Sequence, residues 1–302
     1  MKREQAKLLA LSGVQCAIAL LSPSLPAEQG SSADDKKKPA GSREQEQRMA
    51  TIRATLTTIN RWIPFLFTLE NDGVDGSCAI YITSEDGKLG QELFFDVRTM
   101  KPIKNSPLDK LQSMMGPFLS SVGYSGDLVQ KIEQMIQQKN RALIDITELL
   151  DNEQLSKFGS RFFMAPQGNF ALSDLYSIDR KGFLLQPFTL SKSVAALFNW
   201  KYPEKIDEAR WAELKDLFQD PEGTIPLAKI CAVLYGEKRQ EFLQEVRSLF
   251  MQRFQADLFS VISYGTYDDV VVKVCVLIER LYGVSIGKTQ QDQFFIKKVY
   301  WL

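Results

Sequence analysis

The stretch "DLFSVISYGTYDDVVVKVCVLIERLYG", residues 257–283, decides how much sheet the C-terminal part of the chain contains. Residues 257–267 are rich in β-branched and aromatic side chains, and they predict a strand. Residues 268–283 form a nearly continuous apolar run. Asp268 or Asp269 suits the N-cap of a helix, and Gly283 suits its C-terminal end. We therefore predict a strand followed by a buried helix.

The residues before this stretch have mainly helical periodicity. Apolar residues recur at three- and four-residue spacing, and "DPEG" and "GEK" interrupt the pattern. The predicted helices cover residues 191–199, 204–219, 225–235 and 237–255. The second half of the chain is therefore predicted to be dominated by helices.

The first half mixes strand and helix signals. Residues 78–98, "CAIYITSEDGKLGQELFFDVR", predict a β-hairpin, because two β-rich runs flank an Asp-Gly turn signal. A second hairpin is predicted within residues 161–190. Between the two hairpins the pattern predicts helices near residues 107–120, 125–139 and 143–150. The fold class predicted for the whole chain is α+β.

Composition divides the chain into four predicted segments. Residues 23–47 are rich in Pro, Gly, Ser and charged residues, which is typical of a flexible linker. An N-terminal helix or signal peptide, residues 1–22, precedes this linker. An α+β domain over residues 48–189 and a mainly helical domain over residues 190–302 follow it.

The N-terminal segment has two interpretations. Its charged start and apolar stretch resemble a secretory signal, with cleavage after Ala27 and export as the consequence. Glu4 within the charged start and Gln15 within the apolar stretch favour a retained helix instead, and with it a cytoplasmic protein. This helix would present one apolar face to a partner or to the rest of the chain, and it is interrupted too often to be a transmembrane segment. The face comprises Leu8, Leu11, Val14, Ile18 and Leu21.

A second amphipathic helix is predicted over residues 45–66, with Pro64 near its end. Its apolar residues repeat at a near-heptad spacing, and they include Ile52, Leu56 and Ile59. Such a face packs either within its own domain or on another subunit. Tyr300 and Trp301, in the terminal "KKVYWL", are further candidates for contact with a partner.

The composition argues against most kinds of catalysis. The 302-residue chain contains no histidine, which excludes Ser-His-Asp and Cys-His catalysis and histidine-ligated zinc. The four cysteines, Cys16, Cys78, Cys231 and Cys275, are widely spaced, so we predict free thiols and no metal site. Lys and Arg together number 37, as do Asp and Glu, and this zero net charge argues against nucleic-acid binding.

Short motifs do not supply a site. "GVSIGKT" from Gly283 is one residue shorter than a phosphate-binding loop requires. "ENDGVDGSCAIY", residues 70–81, lacks two of the ligands of a calcium loop. The acidic clusters suit turns or solvated helix faces. These clusters are Glu85 with Asp86, Asp268 with Asp269, and Glu204 with Asp207 and Glu208.

We therefore predict no catalytic residues, no cofactor and no metal. The sequence favours a non-enzymatic scaffold or adaptor that binds other protein subunits in a larger assembly, for which a bacterial secretion machine is one candidate. Two alternatives stay open: a viral or phage structural protein, and a histidine-free hydrolase or transferase that uses carboxylates and magnesium.

Overall fold

The computed structural model contains both helices and an antiparallel sheet, which confirms the predicted α+β class. It describes most of the chain. The described residues are 1–23, 40–96, 98–99, 101–124, 126–156, 162–163, 171–180, 182–218, 226–236, 240–286 and 289–302. Most of the predicted flexible linker, residues 24–39, lies outside them.

The helices range from one turn to five turns in length. They are α1 (Lys2–Leu21), α2 (Ala40–Thr58), α3 (Leu69–Asp72), α4 (Gln91–Phe94), α5 (Ser106–Ser121), α6 (Leu128–Lys139), α7 (Glu153–Ser156), α8 (Leu172–Leu175), α9 (Lys192–Leu197), α10 (Glu208–Phe218), α11 (Leu227–Tyr235) and α12 (Gln240–Val246). Short 3-10 turns cover Glu85–Gly87, Ile146–Asp151 and Arg247–Leu249.

The strands fall into one large sheet and two small pairs. They are β1 (Trp62–Phe67), β2 (Gly76–Ser84), β3 (Leu89–Gly90), β4 (Phe95–Asp96), β5 (Lys101–Pro102), β6 (Tyr176–Ser177), β7 (Leu258–Tyr267), β8 (Val270–Ile286) and β9 (Thr289–Trp301). Within the described residues, the large sheet has five strands in the order β1-β2-β7-β8-β9, so β1 and β9 form its edges. β3 pairs with β6 and β4 pairs with β5.

The chain divides into two compact units that alternate along the sequence. Unit 1 comprises residues 1–82, 204–223 and 261–302, and unit 2 comprises residues 83–203 and 224–260. The sequence placed the boundary near residue 190 instead. That assignment of domains to 48–189 and 190–302 stays a prediction.

The predicted helix over residues 268–283 is wrong, because residues 270–283 lie in strand β8. Asp268 and Asp269 form the tight turn between β7 and β8, and Asp268 has a left-handed backbone with φ 55°. Val274 and Cys275, which point to opposite faces of the strand, are both buried. A strand that is apolar on both faces loses the alternation that distinguishes it from a buried helix.

The helix predicted over residues 45–66 is also displaced. α2 starts at Ala40, within the predicted linker, and it ends at Thr58. Asn60 follows in a left-handed conformation with φ 61°, and residues 62–67 form β1 rather than another helical turn. Pro64 lies in this edge strand, where its missing N–H is tolerated.

Unit 2 contains helices close to the predicted positions. α5 and α6 confirm the helices expected over 107–120 and 125–139. Where an α-helix was predicted over residues 143–150, the structure has a 3-10 turn over Ile146–Asp151. α9, α11 and α12 lie within the helices predicted from residue 191 onward, as does α10 in unit 1. The helix predicted over residues 237–255 is too long, because α12 ends at Val246 and a 3-10 turn over Arg247–Leu249 follows it.

The first predicted hairpin is not formed, and the second is not present in the described part of residues 161–190. β2 pairs with β1, and the residues after it form a 3-10 turn and the two-residue strand β3. In the second region, β6 pairs in parallel with β3, although residues 164–170 lie outside the described part. The β-rich sequence did form strands. β2 pairs with the preceding strand and with the distant β7, and β3 pairs with the distant β6, so the turn signals inside the two predicted hairpins did not identify the partners.

Candidate protein-binding surface

Helix α1 packs on the sheet of unit 1 through small residues. Its buried side comprises Ala6, Leu9, Ala10, Gly13, Val14, Ala17 and Leu21. Gly265 of β7 permits a very close approach, since a Cβ atom there would lie 2.9 Å from the Cα of Ala10. Gly13 is equally constrained, because its Cβ would lie 2.9 Å from Ile80 of β2. Alanine and glycine on the helix and glycine on the strand therefore let the two backbones approach very closely.

This packing corrects the predicted contact face of the helix. Val14 and Leu21 are buried as expected, but Leu8 is 63% exposed and Leu11 is 40% exposed. Ile18 is half-buried. The prediction relied on large apolar residues, whereas a helix that lies very close to a sheet needs small residues at the contact. The alanine and glycine spacing at residues 6, 10, 13 and 17 was the signal that could have found the buried side.

The outer side of α1 is uncharged over most of its length. No charged residue occurs between Leu8 and Ser22. Exposed helix faces in soluble proteins normally carry charged residues, and a helix that is apolar all round is normally covered on all sides. α1 is thus a helix with a buried inner side and an outer side suited to burial.

Leu11 and Ile18 lie on the flank of α1 that faces β8 and β9. Leu9, on the opposite flank, packs at Gly76 of β2. Successive residues of a helix are about 100° apart around its axis. Leu11 and Ile18 therefore lie on the side of Val14 that is turned away from Leu9. The sheet order then puts them on the β8–β9 side.

Strand β9 presents apolar side chains on the same face of the sheet. Trp301 lies opposite Val274, Val299 opposite Val276, and Ile296 opposite Ile278. Directly paired residues of antiparallel strands point to the same face. That face carries α1, because Arg280, in phase with Val274, donates from Nη2 to the backbone oxygen of Leu21 at 2.8 Å.

These β9 side chains are largely uncovered. Ile296 is 51% exposed, Val299 is 45% exposed and Trp301 is 50% exposed. Together with the outer flank of α1 they form an apolar strip at one edge of unit 1. We call it the α1–β9 surface, and its residues are Leu8, Leu11, Ile18, Ile296, Val299 and Trp301.

Arg280 links the elements that carry this surface. Its side chain is fully buried, and it also donates to Thr55 Oγ1 of α2 at 3.1 Å. Its Nε lies 3.9 Å from the Asp292 carboxylate of β9. One arginine therefore connects the C-terminus of α1, helix α2 and the two terminal strands. This role of Arg280 was not predicted, because residues 268–283 were assigned to a helix.

The N-terminus of α1 is held by a second set of charges. Lys2 forms ion pairs at 3.1 Å with Asp268 and with Asp269, at the β7–β8 turn. Hydrogen bonding to Asp268 raises the pKa of the Lys2 ammonium. These carboxylates thus anchor a helix end, in addition to forming the turn that was expected of them.

The remaining predicted contact residues separate into two groups. Ile52, Leu56 and Ile59 are buried in unit 1 and pack within its core. Tyr300 is half-buried, and its neighbour Trp301 is exposed. Of the sequence candidates that are not buried, the α1–β9 surface includes Leu8, Leu11, Ile18 and Trp301.

Unit 2 contains a buried cluster of charges. The Lys88 ammonium contacts the Glu85 carboxylate, and it lies 3.3 Å from Ser260 Oγ, which donates to the same carboxylate. Asp86 Oδ2 accepts from the Asp257 backbone N–H at 3.2 Å. Burial raises the pKa of the Asp86 carboxyl to about 6. The sequence placed Glu85 and Asp86 in a solvated turn, but both are buried.

This cluster connects several loops of unit 2. Arg180 donates to the backbone oxygen of Lys88 at 2.8 Å, and Gly87 lies against the Thr189 backbone. In the described part of the chain, no three His, Cys, Asp or Glu side chains are grouped so that they could hold a metal ion. The prediction of no cofactor and no catalytic residue stays a prediction.

One helix of the described chain, α1, has the length and apolar composition needed to cross a membrane. The same property is found in core helices and in signal sequences, and much of α1 is buried in unit 1. The segment from Gly283 that was compared with a phosphate-binding loop starts inside strand β8, not at the end of a helix. Residues 287 and 288 lie outside the described part.

Comparison with known proteins gives little information about the relatives of this chain. No family model matches the chain. No curated protein matches it either. One solved structure that it resembles is the GspK-GspI-GspJ complex of the type 2 secretion system from enterotoxigenic Escherichia coli. The match covers 99% of this chain and 96% of that one, at 13% identity and a TM-score of 0.44. A likeness at this level carries no argument about the function of this chain.

Proposed function

We propose that the protein is a non-enzymatic subunit of a larger assembly and that it binds another protein through the α1–β9 surface. The single observation that carries this proposal is the uncharged, partly exposed outer side of α1 beside the exposed apolar residues of β9. An exposed apolar strip at a sheet edge is costly in water unless something covers it. A bacterial secretion machine is the setting that we favour for this assembly, and a cytoplasmic location accompanies it.

Several features support a binding role over a catalytic one. The chain has no histidine, and the buried carboxylates described in unit 2 are held by loop backbone and by buried cations. The α1–β9 surface, in contrast, has the composition of an interface core, with aromatic and aliphatic residues and few charges. Trp301 is the residue type most often found at binding hot spots.

Site-specific photo-crosslinking in the native host tests the proposal. A photoreactive amino acid is placed at Leu11 and, in a separate variant, at Val299. We expect both positions to crosslink to the same protein. Leu66 of edge strand β1 is the matched control, because it is 83% exposed and apolar but lies at the other edge of the sheet.

Membrane association is the second candidate, since α1 is long and apolar enough to enter a bilayer. Under that hypothesis Leu11 would crosslink to lipid, and the protein would resist extraction from membranes by carbonate. If neither Leu11 nor Val299 crosslinks to a protein, the proposed function is wrong.

A further inference from the structure

A groove of about 770 Å³ lies on unit 2. Its apolar lining includes Leu184, Phe250 and Met251, and Leu184 is 40% exposed. Arg247 and Arg253 also line it, and both are exposed. An open groove with an apolar lining and two cations is suited to an amphipathic ligand rather than to a purely apolar one.

The walls of the groove are held by backbone hydrogen bonds. The Leu185 N–H donates to the oxygen of Leu249 at 2.7 Å, and the Met251 N–H donates to the oxygen of Leu185 at 2.8 Å. The amide Nε2 of Gln186, a buried residue, donates to the oxygen of Arg253 at 2.8 Å. These bonds fix the backbone on both sides before any ligand arrives, which reduces the ordering cost of binding.

The charges of the groove are not balanced. The carboxylate of Glu245, which also lines it, lies 3.0 Å from the Lys110 ammonium and is neutralised by that ion pair. The guanidinium groups of Arg247 and Arg253 have no ion-pair or hydrogen-bond partner among the residues that the structure describes. The groove therefore combines an apolar lining with two guanidinium groups that have no such partner in the described part of the chain.

We propose that this groove binds an acidic peptide segment of a partner protein. A leucine-sized side chain of the segment packs against Leu184, Phe250 and Met251, and carboxylates on either side of it pair with Arg247 and Arg253. Arginine suits this role because its planar guanidinium can donate two parallel hydrogen bonds to a carboxylate. The proposal does not depend on the α1–β9 surface, all of whose residues belong to unit 1.

The charge of the whole chain favours a peptide over a nucleic acid. The net charge is zero, and phosphate-backbone binding requires a broad excess of cations. A groove with two cations and an apolar lining matches a ligand that alternates carboxylates with apolar side chains.

Fluorescence anisotropy with the full-length protein tests this proposal. The probe is a labelled hexapeptide of alternating glutamate and leucine, and the comparison peptide has glutamine in place of each glutamate. We expect the acidic probe to bind at least about tenfold more tightly. Arg247→Gln and Arg253→Gln should each weaken its binding by about tenfold.

Arg98→Gln is the matched control, since it removes an exposed guanidinium of unit 2 that does not line the groove. Circular dichroism verifies that each variant is folded. Equal binding of both peptides, or arginine variants with unchanged affinity, would overturn the proposal. So would displacement of the probe by a thymidine oligonucleotide at a lower concentration than by unlabelled acidic peptide. Crosslinking at Leu11 and Val299 is unaffected by any of these results.

Discussion

The side chain of Arg280 donates a 2.8 Å hydrogen bond to the backbone oxygen of Leu21, the last residue of α1. Carbonyl groups in the last turn of a helix lack intrahelical partners, and a cation near them also interacts favourably with the helix dipole. Arg280 thus satisfies a helix end while its own charge is buried near the Asp292 carboxylate. The arrangement couples the integrity of α1 to the β8–β9 hairpin.

Arg280→Met should therefore strongly destabilise unit 1. The substitution keeps a similar length but removes every donor, and it leaves the Asp292 carboxylate, whose side chain is 4% exposed, without its ion pair. Breaking a buried pair by removing one partner costs about 3–5 kcal/mol in the free energy of unfolding. Urea unfolding of the full chain measures this cost. Arg98→Met, at a 90% exposed side chain, is the control and should stay within about 0.5 kcal/mol of wild type.

Gly265→Ala should displace α1 from the sheet. The added Cβ would contact the backbone of Ala6 and Ala10, and backbone atoms cannot move aside as a flexible side chain can. We expect a loss of about 3 kcal/mol in the free energy of unfolding. Gly116→Ala in α5 is the matched control. Its Cβ would have no atom nearer than 3.9 Å, so it should stabilise the protein by up to about 1 kcal/mol. Equal effects of the two substitutions would contradict the close-packing explanation.

The sequence predicted the helices better than the strands. α5 and α6 were predictable because each has one apolar face over a polar one, and that pattern is local. β8 was not, because Val274 and Cys275 are both buried although they point to opposite faces. Strand pairing was also beyond local signals. β2 lies between β1 and β7, and β7 is far away in the sequence.

The candidate surface was predictable in part. Leu8, Leu11 and Trp301 could be identified as apolar residues near the chain ends, but the sequence could not show that they share one side of unit 1. Which side of α1 is buried depends on Gly265 and Gly76, glycines in strands that pair only in the folded chain. The role of Arg280 was not predicted for a related reason. The sequence does not show which residue pairs with a charged side chain in an apolar run.

The Asp86 carboxyl should make the stability of unit 2 depend on pH. Its pKa is raised from 3.8 to about 6 by burial, so between these values the folded chain binds a proton that the unfolded chain has released. Stability therefore falls as the pH rises from about 4 to above 6, by up to about 3 kcal/mol for this group. Asp86→Asn removes the titration, and Asn can still accept from the Asp257 N–H. The free energy of unfolding of the Asp86→Asn variant, relative to wild type, should thus increase as the pH rises over the same range. Urea unfolding at pH 4 and pH 7.5 measures this change. A difference that does not change with pH would contradict this explanation.

The four thiols should differ in reactivity. Cys16 is half-buried, whereas Cys78, Cys231 and Cys275 are buried, and burial raises the pKa of the Cys78 thiol to about 12. Only the thiolate is nucleophilic, so a buried thiol reacts slowly. We expect iodoacetamide at pH 8 to modify Cys16 first, and the other three only in urea. Mass spectrometry of tryptic peptides identifies the modified sites. Early modification of Cys78 would contradict the close packing of β2 against α1.

The N-terminal helix should be retained in the native protein, because unit 1 depends on it. Cleavage after Ala27 would remove α1 and uncover the sheet residues beneath it, including Ile80 and Gly265. Leu9, Val14 and Leu21 each contribute about 1.5–3 kcal/mol through burial, and the atoms nearest to Gly265 belong to α1. A chain that starts at residue 28 should therefore bind a dye specific for exposed apolar surface, and it should unfold at lower urea than the full chain. A chain that lacks only Met1–Arg3, which forfeits the Lys2 ion pairs but keeps the buried side of α1, is the matched control and should resemble wild type. N-terminal sequencing of protein from the native host tests the same hypothesis directly. A native start at residue 28, with a cooperative unfolding transition, would contradict both the role assigned to α1 and the cytoplasmic location.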